Sequence, residues 1–123
     1  MRVPGALVVR SEGALLYFNI DHVRDRVMAL VAAAAAKPAI VVLFMGSVPY
    51  VDLAGAELLT DLRRTFGKER IEFRLAEVRG GVREALIRTG AEDAIGLATA
   101  NQTVSDVLHA AHFAVESSEN ALA

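Results

Sequence analysis

The clearest signal in the chain is residues 40–44, where every side chain is apolar and Ile40, Val41 and Val42 are β-branched. A continuous apolar run of this length predicts a strand covered on both faces. Before it, Val23, Val27, Leu30, Val31 and Ala34 recur at helical spacing. They predict a helix capped by Asp21 and ended by Pro38, whose ring and missing N–H forbid continuation. Earlier still, residues 6–10 and 14–18 read as two short strands, joined by Ser11-Glu12-Gly13 into an antiparallel hairpin. After the central strand, Asp52 is placed to cap a second helix with Leu58, Leu59, Leu62 and Phe66 inward and Gly67 at its end. Residues 71–76 alternate, with Ile71, Phe73 and Leu75 on one face and Glu72 and Arg74 on the other, as expected of a less deeply covered strand.

Gly80-Gly81 opens a third predicted helix with Val82, Leu86 and Ile87 inward and Gly90 at its close. A short strand is expected near Leu97. Thr103 and Asp106 have the spacing of a capping box, and start a last helix with Val104, Val107, Leu108, Ala111 and Val115 on one stripe. Strands alternating with helices predict an α/β fold: a mostly parallel sheet of four to five strands built from successive βα units, right-handed crossovers, and about four helices. Residues 1–115 are expected to form one domain and residues 116–123 a frayed tail.

Composition narrows the setting. At 123 residues the chain can bury roughly two thirds of its unfolded surface without staples. It has no cysteine, which removes disulfides, thiolate metal sites and cysteine nucleophiles and fits a reducing, cytoplasmic compartment. The apolar stretch 27–48 is divided by Lys37-Pro38 into pieces too short to span a bilayer, and the first residues lack the pattern of a signal peptide. The net charge of −2 argues against a nucleic-acid module. Charge is nevertheless uneven: residues 1–60 balance, 61–90 carry +3 and 91–123 carry −5. An anion site is therefore expected in the middle third.

In an open α/β sheet, ligands bind beyond the carboxyl ends of the strands. The two turns expected there are Val51-Asp52-Leu53-Ala54-Gly55 and Val78-Arg79-Gly80-Gly81-Val82-Arg83. Asp52 has a plain role as helix cap, Gly80 and Gly81 as a turn, and Arg79 and Arg83 as solvated helix-end residues. The same residues, Asp52, Leu53, Ala54, Gly55, Arg79, Gly80, Gly81 and Arg83, are also the candidate ligand- or partner-binding set, because two helix N-termini would present unpaired amides there. His109 and His112 lie three apart, but no further metal ligands accompany them; His109 is expected exposed and His22 in the first turn of its helix. No serine stands in a nucleophile elbow, no phosphate loop is present and no carboxylates pair for acid/base work. No catalytic, metal or cofactor site is expected.

Taken together, Gly13-Ala14-Leu15-Leu16-Tyr17-Phe18-Asn19 leading into Val23-Arg24-Asp25-Arg26, the stretch 41–52, Val78 to Arg83, Ile87-Arg88-Thr89-Gly90 and Thr103-Val104-Ser105-Asp106 resemble the STAS domains. These occur as anti-sigma-factor antagonists and as C-terminal cytoplasmic domains of SulP-type anion transporters. The resemblance spans nearly the whole chain and implies the STAS fold. In the antagonists, the turn after the central strand carries a Ser or Thr that a kinase phosphorylates. The matching position here is Leu53, which has no hydroxyl, so the resemblance favours the transporter branch. It implies a non-catalytic regulatory domain at the cytoplasmic face of the inner membrane, contacting the transmembrane region of a parent transporter or another regulatory protein, with at most a weak nucleotide or anion ligand. A stand-alone antagonist that binds an anti-sigma factor and a nucleotide- or anion-sensing module remain the alternatives.

Overall fold

A computed structural model describes residues 5–91 and 102–110. Three strands, β1 (Ala6–Arg10), β2 (Ile40–Phe44) and β3 (Glu72–Ala76), form a parallel sheet in the order β1-β2-β3. Val9, Leu43 and Leu75 lie side by side across it. The helices are α1 (Ile20–Ala33), α2 (Leu53–Lys68), α3 (Gly80–Arg88) and α4 (Val104–Ala110). Stepping across the sheet in one direction with right-handed crossovers places α1 and α2 on the same face.

The strand pleat then sorts the side chains. Val9, Val41, Leu43, Phe73 and Leu75 face the larger core, where Val27 of α1, Leu58, Leu59, Leu62 and Phe66 of α2, and Val82 and Leu86 of α3 close over them. Ile40, Val42 and Ala76 point the other way and meet Val107 and Leu108 of α4. Residues 40–43 are 0% exposed, as their unbroken apolar run predicts. Full burial of one such side chain contributes about 1.5–3 kcal/mol.

Several expectations are met in detail. Asp52 caps α2, accepting from the Gly55 N–H at 2.9 Å. Thr103 and Asp106 form the reciprocal box: Thr103 N donates to Asp106 Oδ2 at 3.1 Å, and Asp106 N to Thr103 Oγ1 at 3.0 Å. Gly90 adopts φ +77°, the left-handed geometry that ends α3. Lys37-Pro38 falls between α1 and β2.

Others are corrected. Residues 14–18 form no hairpin with β1. The chain beyond β1 instead runs parallel to the β2–α2 loop, with Ser11 N donating to Phe44 O, Gly13 N to Ser47 O, Leu15 N to Tyr50 O, and Asp52 N to Leu15 O. Only Leu15 makes an isolated bridge, with Val51. Asn19, not Asp21, stands at the start of α1; its Oδ1 accepts from Leu16 N and its Nδ2 donates to Ala14 O, closing a local turn that stops any strand at residue 18. Asp21 lies in the first turn and pairs with Arg24 at 3.1 Å.

Gly67 lies inside α2, and the reversal comes at Arg70, with φ 60°. Leu30 and Ile87 are exposed, because their helices rest on the sheet along narrower stripes than the periodicity allowed; Ala85 takes the buried position on α3. The strand expected near Leu97, the tail 116–123, and Ala111, His112 and Val115 lie outside the described residues.

Candidate functional site

All three strands run the same way, so the β2–α2 and β3–α3 turns meet at the carboxyl edge of the sheet. Two bonds join them. Met45 N donates to Ala76 O at 2.8 Å, and Arg79 Nε donates to Gly46 O at 3.1 Å. Arg79 is thus a tie between turns as well as a surface charge. Gly46 also leaves room for the Phe44 ring, which a Cβ there would meet.

Asp52 has both carboxylate oxygens engaged. Oδ1 accepts from Gly55 N and caps α2; Oδ2 accepts from Tyr17 N at 3.0 Å, across 35 residues of sequence. One side chain therefore starts α2 and fastens the 14–18 segment beside it. Gly55 is buried, and a Cβ there would run into the Leu15 carbonyl and come within 2.9 Å of Leu15 Cβ and Val51 Cγ1. The glycine lets this segment lie directly against α2. Ala54 is half-buried.

At the start of α3, Gly80 and Gly81 are exposed and no side chain caps the first-turn amides. Arg83 is half-buried, and its N–H donates to Arg79 O at 2.8 Å. The residues expected to form one site therefore divide into two groups at neighbouring helix starts. At α3, Arg79 reaches Gly46 beside Gly80, Gly81 and Arg83, whereas at α2 Asp52 bonds Tyr17 and Gly55 lies against Leu15. Of these two helix starts, α2 already has a carboxylate on its Gly55 amide, whereas α3 has no side-chain cap and is the more open to an anion.

The sequence reading missed an apolar rim around Asp52. Tyr17 is 76% exposed, Phe18 69%, Leu53 58% and Tyr50 56%. The Tyr17 and Phe18 rings stack edge to face, 5.6 Å apart at 87°. The bonds from Leu15 to Tyr50 and from Tyr17 to Asp52 hold their backbones at one corner of the molecule. Exposed apolar groups gathered in this way mark interaction surfaces. No local pattern signals it: Tyr17 and Phe18 lie in a turn, and Tyr50 and Leu53 come from a distant part of the chain.

His22 and His109 are exposed, and no group of three or more His, Asp or Glu among the described residues could hold a metal ion. No helix among them is long and apolar enough to cross a membrane.

A parallel sheet with a capped helix start and an apolar rim at its carboxyl edge describes a domain of the α/β class. The chain belongs to the STAS domain family, whose model matches residues 2–111. Similar solved structures include transporter-family proteins. A sulfate transporter family protein from Wolinella succinogenes is 23% identical with a TM-score of 0.74, over 91% of this chain and 89% of that one. The SulP transporter STAS domain from Vibrio cholerae is 19% identical with a TM-score of 0.69, over 91% and 84%. Murine Solute Carrier 26 family member A9, an anion transporter in its inward-facing state, is 20% identical with a TM-score of 0.81; the match covers 91% of this chain and 18% of that one. These likenesses show the fold. No curated protein matches the chain in sequence.

Proposed function

We propose that this STAS domain is a non-catalytic regulatory module of a SulP-type anion transporter, seated at the cytoplasmic face of the inner membrane. Its partner is the transporter's membrane region. The observation that carries the reading is the apolar rim Tyr17, Phe18, Tyr50 and Leu53, left in water with its Tyr17 backbone fastened by Asp52. Folding alone gives little reason for four large side chains to converge there, whereas burial against a partner supplies about 25 cal/mol for each Å² of apolar surface covered. Leu53 occupies the position where an antagonist would carry its phosphoacceptor, so the rim is apolar where the other branch needs a hydroxyl. The likeness to SulP and Solute Carrier 26 domains points the same way.

The test is a binding titration of the purified chain against the detergent-solubilised membrane region of a SulP-type transporter and against an anti-sigma factor. The reading expects saturable binding to the membrane region that is lost in a Tyr17→Ser, Phe18→Ser double variant. Binding to the anti-sigma factor alone would replace it with the antagonist reading.

A further inference from the structure

Away from that rim, a cavity of about 240 Å³ opens between the end of β1 and the first half of α1. Its floor is apolar: Val9, Val27 and Leu43 are at most 3% exposed. His22 and Arg26 line it from α1, four residues apart and so on one helix face. Ser11 lines it from the strand side and is the buried polar residue among those described, at 6% exposure.

Three features distinguish this cavity from a packing defect. Ser11 continues the pleat of Leu7 and Val9, so its side chain is on the α1 face, yet its hydroxyl makes no hydrogen bond to any described residue. The hydroxyl is therefore available to a ligand polar atom in the cavity. Arg26 forms no ion pair among the described residues, whereas Arg24 beside it bonds Asp21 and Asp61. Arg10 also borders the cavity, but its guanidinium stacks on the Phe44 ring at 4.7 Å, which leaves Arg26 as the guanidinium at the mouth.

We infer that this cavity binds a small organic monoanion, a short-chain carboxylate. The carboxylate meets Arg26, whose planar fork matches its two oxygens, with His22 beside it and Ser11 donating its hydroxyl proton. A body of a few carbons lies on Val9, Val27 and Leu43. Size and charge set the class. The volume falls below the roughly 300–1,000 Å³ of pockets that take drug-sized ligands, which favours a ligand of a few carbons over a nucleotide. Glu12 on the rim carries a negative charge that disfavours dianions.

The test is an NMR titration of the full 123-residue chain with butyrate, and in parallel with succinate, sulfate and GMP, following backbone amides. Butyrate is expected to give saturable shifts at Ser11, Glu12, His22 and Arg26, stronger than any of the other three probes. Arg26→Gln should weaken it roughly tenfold or more while the rest of the spectrum stays folded. Ser11→Ala should also weaken binding without lowering the melting temperature, because it deletes a hydroxyl that has no partner in the empty protein. Absence of saturable shifts at these amides up to tens of millimolar, tighter binding of a dianion or GMP, or an affinity unchanged in Arg26→Gln would each overturn the inference.

Discussion

Replacing Asp52 separates the two jobs its carboxylate performs. Asp52→Ala removes the cap on Gly55 N and the bond to Tyr17 N together. Loss of a helix cap costs about 0.5–2 kcal/mol, and loss of one further hydrogen bond about 0.5–1.5 kcal/mol. The Tyr17 bond is exposed, so water recovers part of it, and a total of about 1.5–2.5 kcal/mol is expected. Asp52→Asn keeps an oxygen for Gly55 but turns an NH₂ toward the Tyr17 N–H, donor against donor. It should therefore cost only the smaller share, about 0.5–1 kcal/mol, while freeing the 14–18 segment. Urea melts of the three proteins give the stabilities, and amide hydrogen exchange gives the local effect. Tyr17 should be protected in the parent chain and unprotected in both variants, while Gly55 should be protected in the parent chain and the Asn variant and unprotected in the Ala variant. Equal destabilisation by Asn and Ala, or an unprotected Tyr17 amide in the parent chain, would refute the assignment of two separate roles.

Three further outcomes are expected. Leu43→Ala, at the centre of the fully buried strand, should lower stability by about 2–5 kcal/mol in denaturant melts, and a loss below about 1 kcal/mol would contradict its place in the core. Gly55→Ala should cost about 1–3 kcal/mol, since the added methyl meets the Leu15 carbonyl, and the exchange rates of the 14–18 amides should rise with it. Incubation with ATP and a switch kinase of the kind that acts on antagonists should leave residues 47–60 unmodified by mass spectrometry, because Leu53 has no hydroxyl; a phosphate on Ser47 or Thr60 would show a switch by another route.

Much of this architecture was legible because local rules decide it. The unbroken run Ile40 to Phe44 could be satisfied only in the middle of a sheet, and the Thr103 and Asp106 pair closes its box within three residues. Asp52 was readable as a cap for the same reason, being adjacent to the amides it serves. Its second bond, to Tyr17, spans 35 residues and leaves no local pattern. The failed hairpin has that origin: residues 14–18 had the composition of a strand and Ser11-Glu12-Gly13 that of a turn, but this segment pairs with the β2–α2 loop, and a parallel pairing of that kind carries no turn signal. The rim and the Ser11 cavity were hidden likewise. Nothing in the periodicity shows that Tyr17 and Tyr50 share a corner, or that the side chain after β1 lacks a partner.

The central claim, that the apolar rim is the face the domain presents to a transporter's membrane region, is tested most directly by site-specific photocrosslinking. A crosslinking amino acid is placed at Phe18, at Leu53, or as a control at Lys68, which lies about 22 Å from Leu53 along α2 at the opposite edge of the sheet. Each protein is mixed with the solubilised membrane region of a SulP-type transporter and irradiated. The account predicts adducts from positions 18 and 53, mapped to the cytoplasmic ends of the transmembrane helices, and none from position 68. Adducts from position 68 alone, or equal yields from all three positions, would contradict it.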